Sequence, residues 1–111
     1  MTYAEFFSRF KSEFSDIDVS WIHEHLAYQF NIEDKDAGGI FYVEVKEGRL
    51  YIEPYEYYDR HACFIAGPDT LMRIAQGEAD PVEEYTHHRL RVEGNLDMAL
   101  KLKDILARTQ R

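Results

Sequence analysis

Cysteine is nearly absent from this chain: of its 111 residues only Cys63 carries a thiol. One thiol cannot close an internal disulfide, and no zinc-type ligand spacing exists. Cys63 sits in the apolar run Ala62-Cys63-Phe64-Ile65-Ala66 and reads as a small buried hydrophobe rather than a nucleophile. Basic residues are also scarce, 13 against 21 acidic ones, for a net charge of −8. A phosphate backbone needs neutralising Lys and Arg, so this balance argues against nucleic-acid binding and against simple electrostatic docking on anionic lipid surfaces. Any lipid contact has to be apolar or local. Long apolar runs are missing too. No stretch approaches the ~20 residues of a membrane span, which argues against stable membrane insertion. Charges interrupt every apolar stretch near Met1, against a signal peptide. Arg108-Thr109-Gln110-Arg111 is neither a peroxisomal tripeptide nor a lipidation box. The expected compartment is the cytoplasm. There is no P-loop, no G-x-S-x-G and no dinucleotide fingerprint, and no carboxylate lies in a motif that assigns a general acid or base. The expectation is a protein without catalytic residues or cofactors.

What the chain does have is aromatic mass, with seven Phe and eight Tyr. Left in water they would expose too much apolar area for a disordered chain, so one self-sufficient core is expected, a single domain over residues 1–111. Phe6, Phe7, Phe10 and Phe14 recur at three- and four-residue spacing and predict a helix over residues 2–14. Thr2 is its N-cap, with Glu5 completing a capping box. The stripe reads first as a core contact, with a lid over a ligand as the alternative.

Leu26, Tyr28, Phe30 and Ile32 alternate with Ala27, Gln29 and Asn31, the period of a strand over residues 24–32. A second strand covers residues 40–46 and a third 49–53, joined by a tight Glu47-Gly48 turn and closed by Pro54. Ala62 to Ala66 is the fourth strand. A helix from Gly67-Pro68 to Gly77 follows, then a short one opened by Asp80 as cap and Pro81 as first residue. Residues 89–93 form a fifth strand with Leu90 and Val92 inward. A last helix carries Leu96, Ala99, Leu100, Leu102, Ile105 and Leu106 on its apolar face. The expected class is α+β, a five-stranded mixed sheet with helices packed on one face.

The run Ala62-x-Phe64-x-Ala66-x-x-Asp69-Thr70-Leu71-x-x-Ile74-Ala75-x-Gly77-x-x-Asp80-Pro81 resembles the central signature of the sterol-carrier-protein lipid-transfer family. Leu90-x-Val92-x-Gly94-Asn95 and Ala99-Leu100-Lys101-Leu102 follow at the family's usual distances. Upstream, Phe41-x-Val43-x-Val45-Lys46-x-Gly48 resembles its second strand and hairpin. The resemblance implies a soluble, non-catalytic carrier that takes a fatty acid, acyl-CoA or sterol-like lipid into an internal tunnel. It places Phe41, Val43, Phe64, Leu71, Ile74, Val82, Tyr85, Leu90, Met98 and Leu102 on the tunnel wall, gated by the first helix and residues 81–88. The same residues are those a closed core would use.

The chain departs from the family after Pro81. There it reads Val82-Glu83-Glu84-Tyr85-Thr86, then His87-His88 where the family has a small residue and a glycine. Polar groups at a tunnel mouth argue against a sterol and for a smaller or more polar ligand, or none. Position 88 also loses the residue best suited to positive φ, although His tolerates it better than most. The alternative function is therefore a protein-interaction module of the same fold with a closed or reduced tunnel. Tyr42, Tyr51, Tyr55, Tyr57 and Tyr58 suggest a homodimer or partner surface for it. Glu83-Glu84 reads as the solvated face of a helix. His23-x-His25, His61 and His87-His88 read as surface histidines with pH-dependent local charge rather than a metal site.

Overall fold

The structure, a computed structural model, describes the backbone of residues 1–14 and 17–109 and, of these, the side chains up to 105. The Leu106 side chain, expected on the inner face of the last helix, lies outside the described residues, as do Gln110 and Arg111 of the C-terminal tetrapeptide.

Helix α1 (Tyr3–Phe14) forms where the aromatic stripe and the capping box place it. The Glu5 N–H donates to the Thr2 hydroxyl at 3.2 Å and the Thr2 N–H donates to Glu5 Oε1 at 3.1 Å. These two bonds fix the first turn. Phe6, Phe10 and Phe14 are buried on one side, and Phe7 is half-buried beside them.

Strands β1 (Leu26–Ile32), β2 (Gly39–Lys46), β3 (Arg49–Glu53), β4 (Ala62–Ala66) and β5 (Arg91–Gly94) make one sheet in the order β3-β2-β1-β4-β5. β1 pairs antiparallel with β2 and parallel with β4; the outer pairs β2-β3 and β4-β5 are antiparallel. The β2-β3 turn has φ 53° at Glu47 and 72° at Gly48, the doubly positive geometry whose twist matches a two-residue hairpin. Register sets the core. Phe30 of β1 lies opposite Phe41 of β2 and beside Phe64 of β4, with ring centroids 5.0 and 5.2 Å away. Phe10 of α1 closes on Phe41 at 4.8 Å. α1, α2 (Pro68–Ala75), α3 (Pro81–Thr86) and α4 (Leu96–Thr109) complete the chain. The buried residues of α1, α2 and α4 join the inner-face sheet residues in one hydrophobic core.

Two strand starts lie two residues later than in the sequence pattern. β1 begins at Leu26 rather than at residue 24. β5 begins at Arg91 because the Arg89 and Leu90 N–H groups both donate to the Glu84 carbonyl, at 2.9 and 3.1 Å, and finish the α3 turn instead. Leu90 is nonetheless buried, as expected. The outer face of the sheet is also less open than alternation suggests. Gln29 is 2% exposed because residues 54–61 fold back over it. The Tyr57 N–H and Arg60 Nη1 both donate to Gln29 Oε1 at 3.2 Å. Cys63 lies under the same segment, and burial pushes its thiol up.

Candidate functional site

α3 is only six residues long, too short to persist without help. Its N-terminus is fixed by the expected cap: the Val82 N–H donates to Asp80 Oδ1 at 2.9 Å. Its other anchor was not legible. Glu84, read as solvated, is 2% exposed. Its carboxylate pairs with Arg89 and, at 3.7 Å, with Arg73 of α2. With the carboxylate turned inward, Val82 and Tyr85 turn outward and stay 38% and 44% exposed. The turn after α3 ends at His88 with φ 63°. The left-handed backbone is thus kept without glycine, at a cost of about 1–2 kcal/mol.

α4 faces α3 across β5. Asn95 caps it, accepting the Met98 N–H at 3.1 Å. The Tyr28 hydroxyl donates to the Met98 carbonyl at 2.6 Å from the sheet below. The helix carries two apolar stripes. Leu102 and Ile105 are buried, whereas Leu96 and Leu100, one turn apart, are 50% and 51% exposed.

The exposed stripes of α3 and α4 line one open cleft of about 330 Å³. Phe64 and Leu90 form its floor, Val92 a side, Val82 and Tyr85 one rim, Leu96 and Leu100 the other. Thr86 and Lys103 are its polar members. The Thr86 hydroxyl is already spent on the Val82 carbonyl at 2.9 Å. Lys103 reaches across to Asp80 Oδ2 at 3.5 Å, bridging the two walls. A second, more polar trough of about 750 Å³ shares Tyr85, Thr86, Leu90 and Val92 with the cleft and adds His88, Arg91 and Glu93. Apolar walls with so few unspent polar groups suit an apolar ligand.

Of the ten residues the family resemblance put on a tunnel wall, Phe64, Val82, Tyr85 and Leu90 meet at this cleft. Phe41, Val43, Leu71, Ile74 and Leu102 lie in the packed core, each no more than 6% exposed, and Met98 packs against it. No residue of α1 borders the cleft. Pro81, Val92, Leu96, Ala99 and Leu100 were missed as lining residues. The last three had a readable signal: at i, i+3 and i+4 they form a stripe separate from Leu102 and Ile105, wider than one core seam requires.

The outer face holds a polar cluster. His25 Nε2 donates to Glu44 Oε2 at 2.6 Å, and the Tyr57 hydroxyl donates to the same oxygen at 2.7 Å. The hydrogen bond to Glu44, then burial, pushes Tyr57 up to about 12. Burial raises the Glu44 carboxyl, but the bonds from Tyr57 and His25 outweigh it and hold it below its ordinary value. A depressed carboxyl contributes stability above the unfolded value near ~4.3 and loses it as pH falls through the folded one. Glu44→Gln is therefore expected to be less stable than the parent at pH 7, with the gap narrowing at acid pH, as read from urea midpoints. An equal gap at both pH values would count against the assignment. Tyr42 and Tyr57, two of the five tyrosines proposed for an interface, are half-buried here, their rings 5.1 Å apart. Tyr51, Tyr55 and Tyr58 remain exposed. Among the described residues no three His, Cys, Asp or Glu side chains converge as a metal site requires, and no helix is long and apolar enough to cross a membrane.

Comparison with known proteins gives one family: residues 22–107 match the model of the SCP-2 sterol transfer family. A sequence search among curated proteins gives no match. Among solved structures, the chain is similar to palmitated sterol carrier protein 2-like 2 from Aedes aegypti, with TM-score 0.67 and 16% identity over 96% of this chain and 95% of that one. It is similar to apo sterol carrier protein 2 from Yarrowia lipolytica, with TM-score 0.59 and 16% identity over 96% and 77%. It is also similar to part of the inverting sec-alkylsulfatase Pisa1 from a Pseudomonas species, with TM-score 0.64 and 10% identity over 89% of this chain. The chain spans only 14% of that enzyme. At these identities the likeness is one of fold, a five-stranded mixed sheet with four helices.

Proposed function

The chain belongs to the SCP-2 sterol transfer family, and from that premise we propose that it is a non-catalytic carrier that binds an acyl-bearing lipid in the cleft between α3, β5 and α4. One observation carries the reading. Val82, Tyr85, Leu96 and Leu100, four of the large exposed apolar residues, sit together around one concavity floored by Phe64 and Leu90. Scattered exposed leucines need no explanation, but a lined and floored cluster does. Each methylene moved out of water contributes about 0.8 kcal/mol, so an alkyl chain can be held without a charge pair. The packed state of Phe41, Val43, Leu71 and Ile74 favours a ligand seated in this cleft over one threaded through the core. The palmitated mosquito homologue adds support for an acyl ligand.

Leu100→Asp is the direct test, because the residue is half-exposed and its replacement leaves the core untouched. Titration with a fluorescent fatty alcohol is expected to show binding to the parent. The variant should bind about tenfold or more weakly, since the ligand would bury an unpaired carboxylate, with an unchanged far-UV CD spectrum. Equal affinity in the two proteins would remove the cleft from the reading. Absence of binding to the parent, with no lipid carried through native purification, would turn attention to the interaction-module reading. The exposed Tyr51, Tyr55 and Tyr58 favour that one.

A further inference from the structure

β4 starts one residue too late to serve β1 fully. Ala27 turns both its N–H and its carbonyl toward β4. The carbonyl accepts the His61 N–H at 2.8 Å. The N–H has no strand carbonyl opposite it and donates instead to the His61 side chain, to Nδ1 at 3.0 Å. The imidazole thus stands in for a missing strand residue. Only a ring with a lone pair on Nδ1 can do this, so the arrangement requires neutral His61 with its proton on Nε2. A protonated ring has two donors and no acceptor, and the Ala27 N–H, belonging to a residue 0% exposed, loses its partner.

The same residue holds the start of α4. The Asn95 N–H donates to the His61 carbonyl at 2.9 Å, and Asn95 is the residue that caps the helix. Gly94, at φ 98°, packs so closely there that a Cβ would lie 2.8 Å from the His61 carbonyl oxygen. β1 therefore grips α4 twice, directly through Tyr28 to Met98 and indirectly from Ala27 through His61 to Asn95. α4 is the cleft wall that carries Leu96, Ala99 and Leu100.

The surrounding charges oppose one another. His25, with its ring 5.9 Å from that of His61, is placed against Glu44. Glu44 is thereby committed to His25 and Tyr57. Arg60 precedes His61 and adds positive charge, tied to Glu56 at 3.9 Å. Asp59 on the same segment, Glu93 of β5 (in register with Cys63) and Asp97 and Asp104 of α4 are, with Glu56, the acidic residues of the adjoining elements.

We propose that His61 is a pH-sensitive clasp: its neutral ring joins β1 to the α4 wall, and its protonation frees that wall and lowers the affinity of the cleft for its ligand. The clasp deepens the carrier reading above and rests on it for its effect on binding. The test uses the full chain between pH 7.5 and 5.5, with amide exchange corrected for its intrinsic pH dependence and with a pyrene-labelled fatty alcohol, which does not itself titrate. In the parent the Ala27 and Asn95 amides are expected to lose about tenfold protection over this range as the His61 ring takes up its proton. Probe affinity should fall about fivefold over the same range. His61→Asn offers an oxygen acceptor near the Nδ1 position without a titration and should be flat in both readouts, whereas His25→Gln should follow the parent. Flat amide protection in the parent overturns the clasp whether or not any variant folds, and so does an undiminished transition in His61→Asn. An amide transition with pH-independent probe binding overturns the coupling to the cleft. An amide transition with no probe binding at any pH leaves the clasp in the fold but overturns the carrier reading, and with it the role in ligand release.

Discussion

Phe10→Ala is expected to lower the unfolding free energy by about 3–5 kcal/mol. Phe10 is 1% exposed and sits at the junction of α1 with the sheet. Its ring centroid lies 4.8 Å from those of Phe14 and Phe41, 5.3 Å from Phe30 and 6.0 Å from Phe6. Removing it deletes the transfer free energy of a whole aromatic side chain and leaves a cavity among rings. Those rings are held by a sheet register that cannot collapse to fill it. The damage is directed. Phe30 backs Phe64, the cleft floor, at 5.2 Å, so slack at Phe10 reaches the cleft through one intervening ring. Against a typical total of about 5–15 kcal/mol, the loss removes a large share of the stability. Urea unfolding at 25 °C measures it. Phe7→Ala, at the half-buried neighbour, is the control and should cost markedly less. Equal losses at the two positions would mean that α1 docks by general hydrophobicity rather than through the Phe10 contact.

Much of this fold could be read from the chain because local signals agreed with one another. The Phe stripe with Thr2 and Glu5, the alternation from Leu26 to Ile32, the Glu47-Gly48 turn and the Asp80-Pro81 start each carry their own geometry, and the structure keeps each. The family likewise was legible from the ordered turn residues between Ala62 and Asn95. The site was harder. Apolar residues at a strand or helix period look the same whether they meet a ligand or each other, so Phe41, Val43, Leu71 and Ile74 could not be separated from Phe64 and Leu90. What separates them is tertiary placement. α1 fills the space over β1 and β2 with its own rings, and the α3–α4 cleft opens on the side over β5. Leu96 and Leu100 follow from that geometry, although the second stripe on α4 hinted at them. His61 and Glu84 lay beyond reach for a related reason. Their partners, Ala27, Arg73 and Arg89, are fixed by how one strand starts late and how one short helix is turned. Only the 54–61 segment folding over Gln29 shows that Tyr57 also makes hydrogen bonds within the fold.

Arg89→Ala is expected to cost about 2–3 kcal/mol, the second large effect and the one that bears most on function. Glu84 is buried, and Arg89 and Arg73 are its cationic partners. Truncating Arg89 leaves a carboxylate out of water with only Arg73, 3.7 Å away and half-exposed, to balance it. The loss falls at the low end for a broken buried pair because that second arginine remains. Glu84→Met removes the charge itself and leaves two arginines that already reach solvent, so it should be nearly neutral or stabilising despite striking the better-buried partner. Combining the two should cost no more than Glu84→Met alone, which a double-mutant cycle would report as a coupling close to the whole Arg89→Ala effect. The consequence for the cleft differs from that for stability. With only six residues α3 has little helix stability of its own, and the inward carboxylate is what turns Val82 and Tyr85 toward the cleft. Glu84→Met gives α3 an apolar inner face to bury as well, so Val82 and Tyr85 are free to exchange places with it. Fatty-alcohol affinity should therefore fall in both single variants while stability falls in only one. If affinity instead follows stability, intact in Glu84→Met and lost in Arg89→Ala, then the ion pair only holds the fold together and the orientation of α3 has another cause.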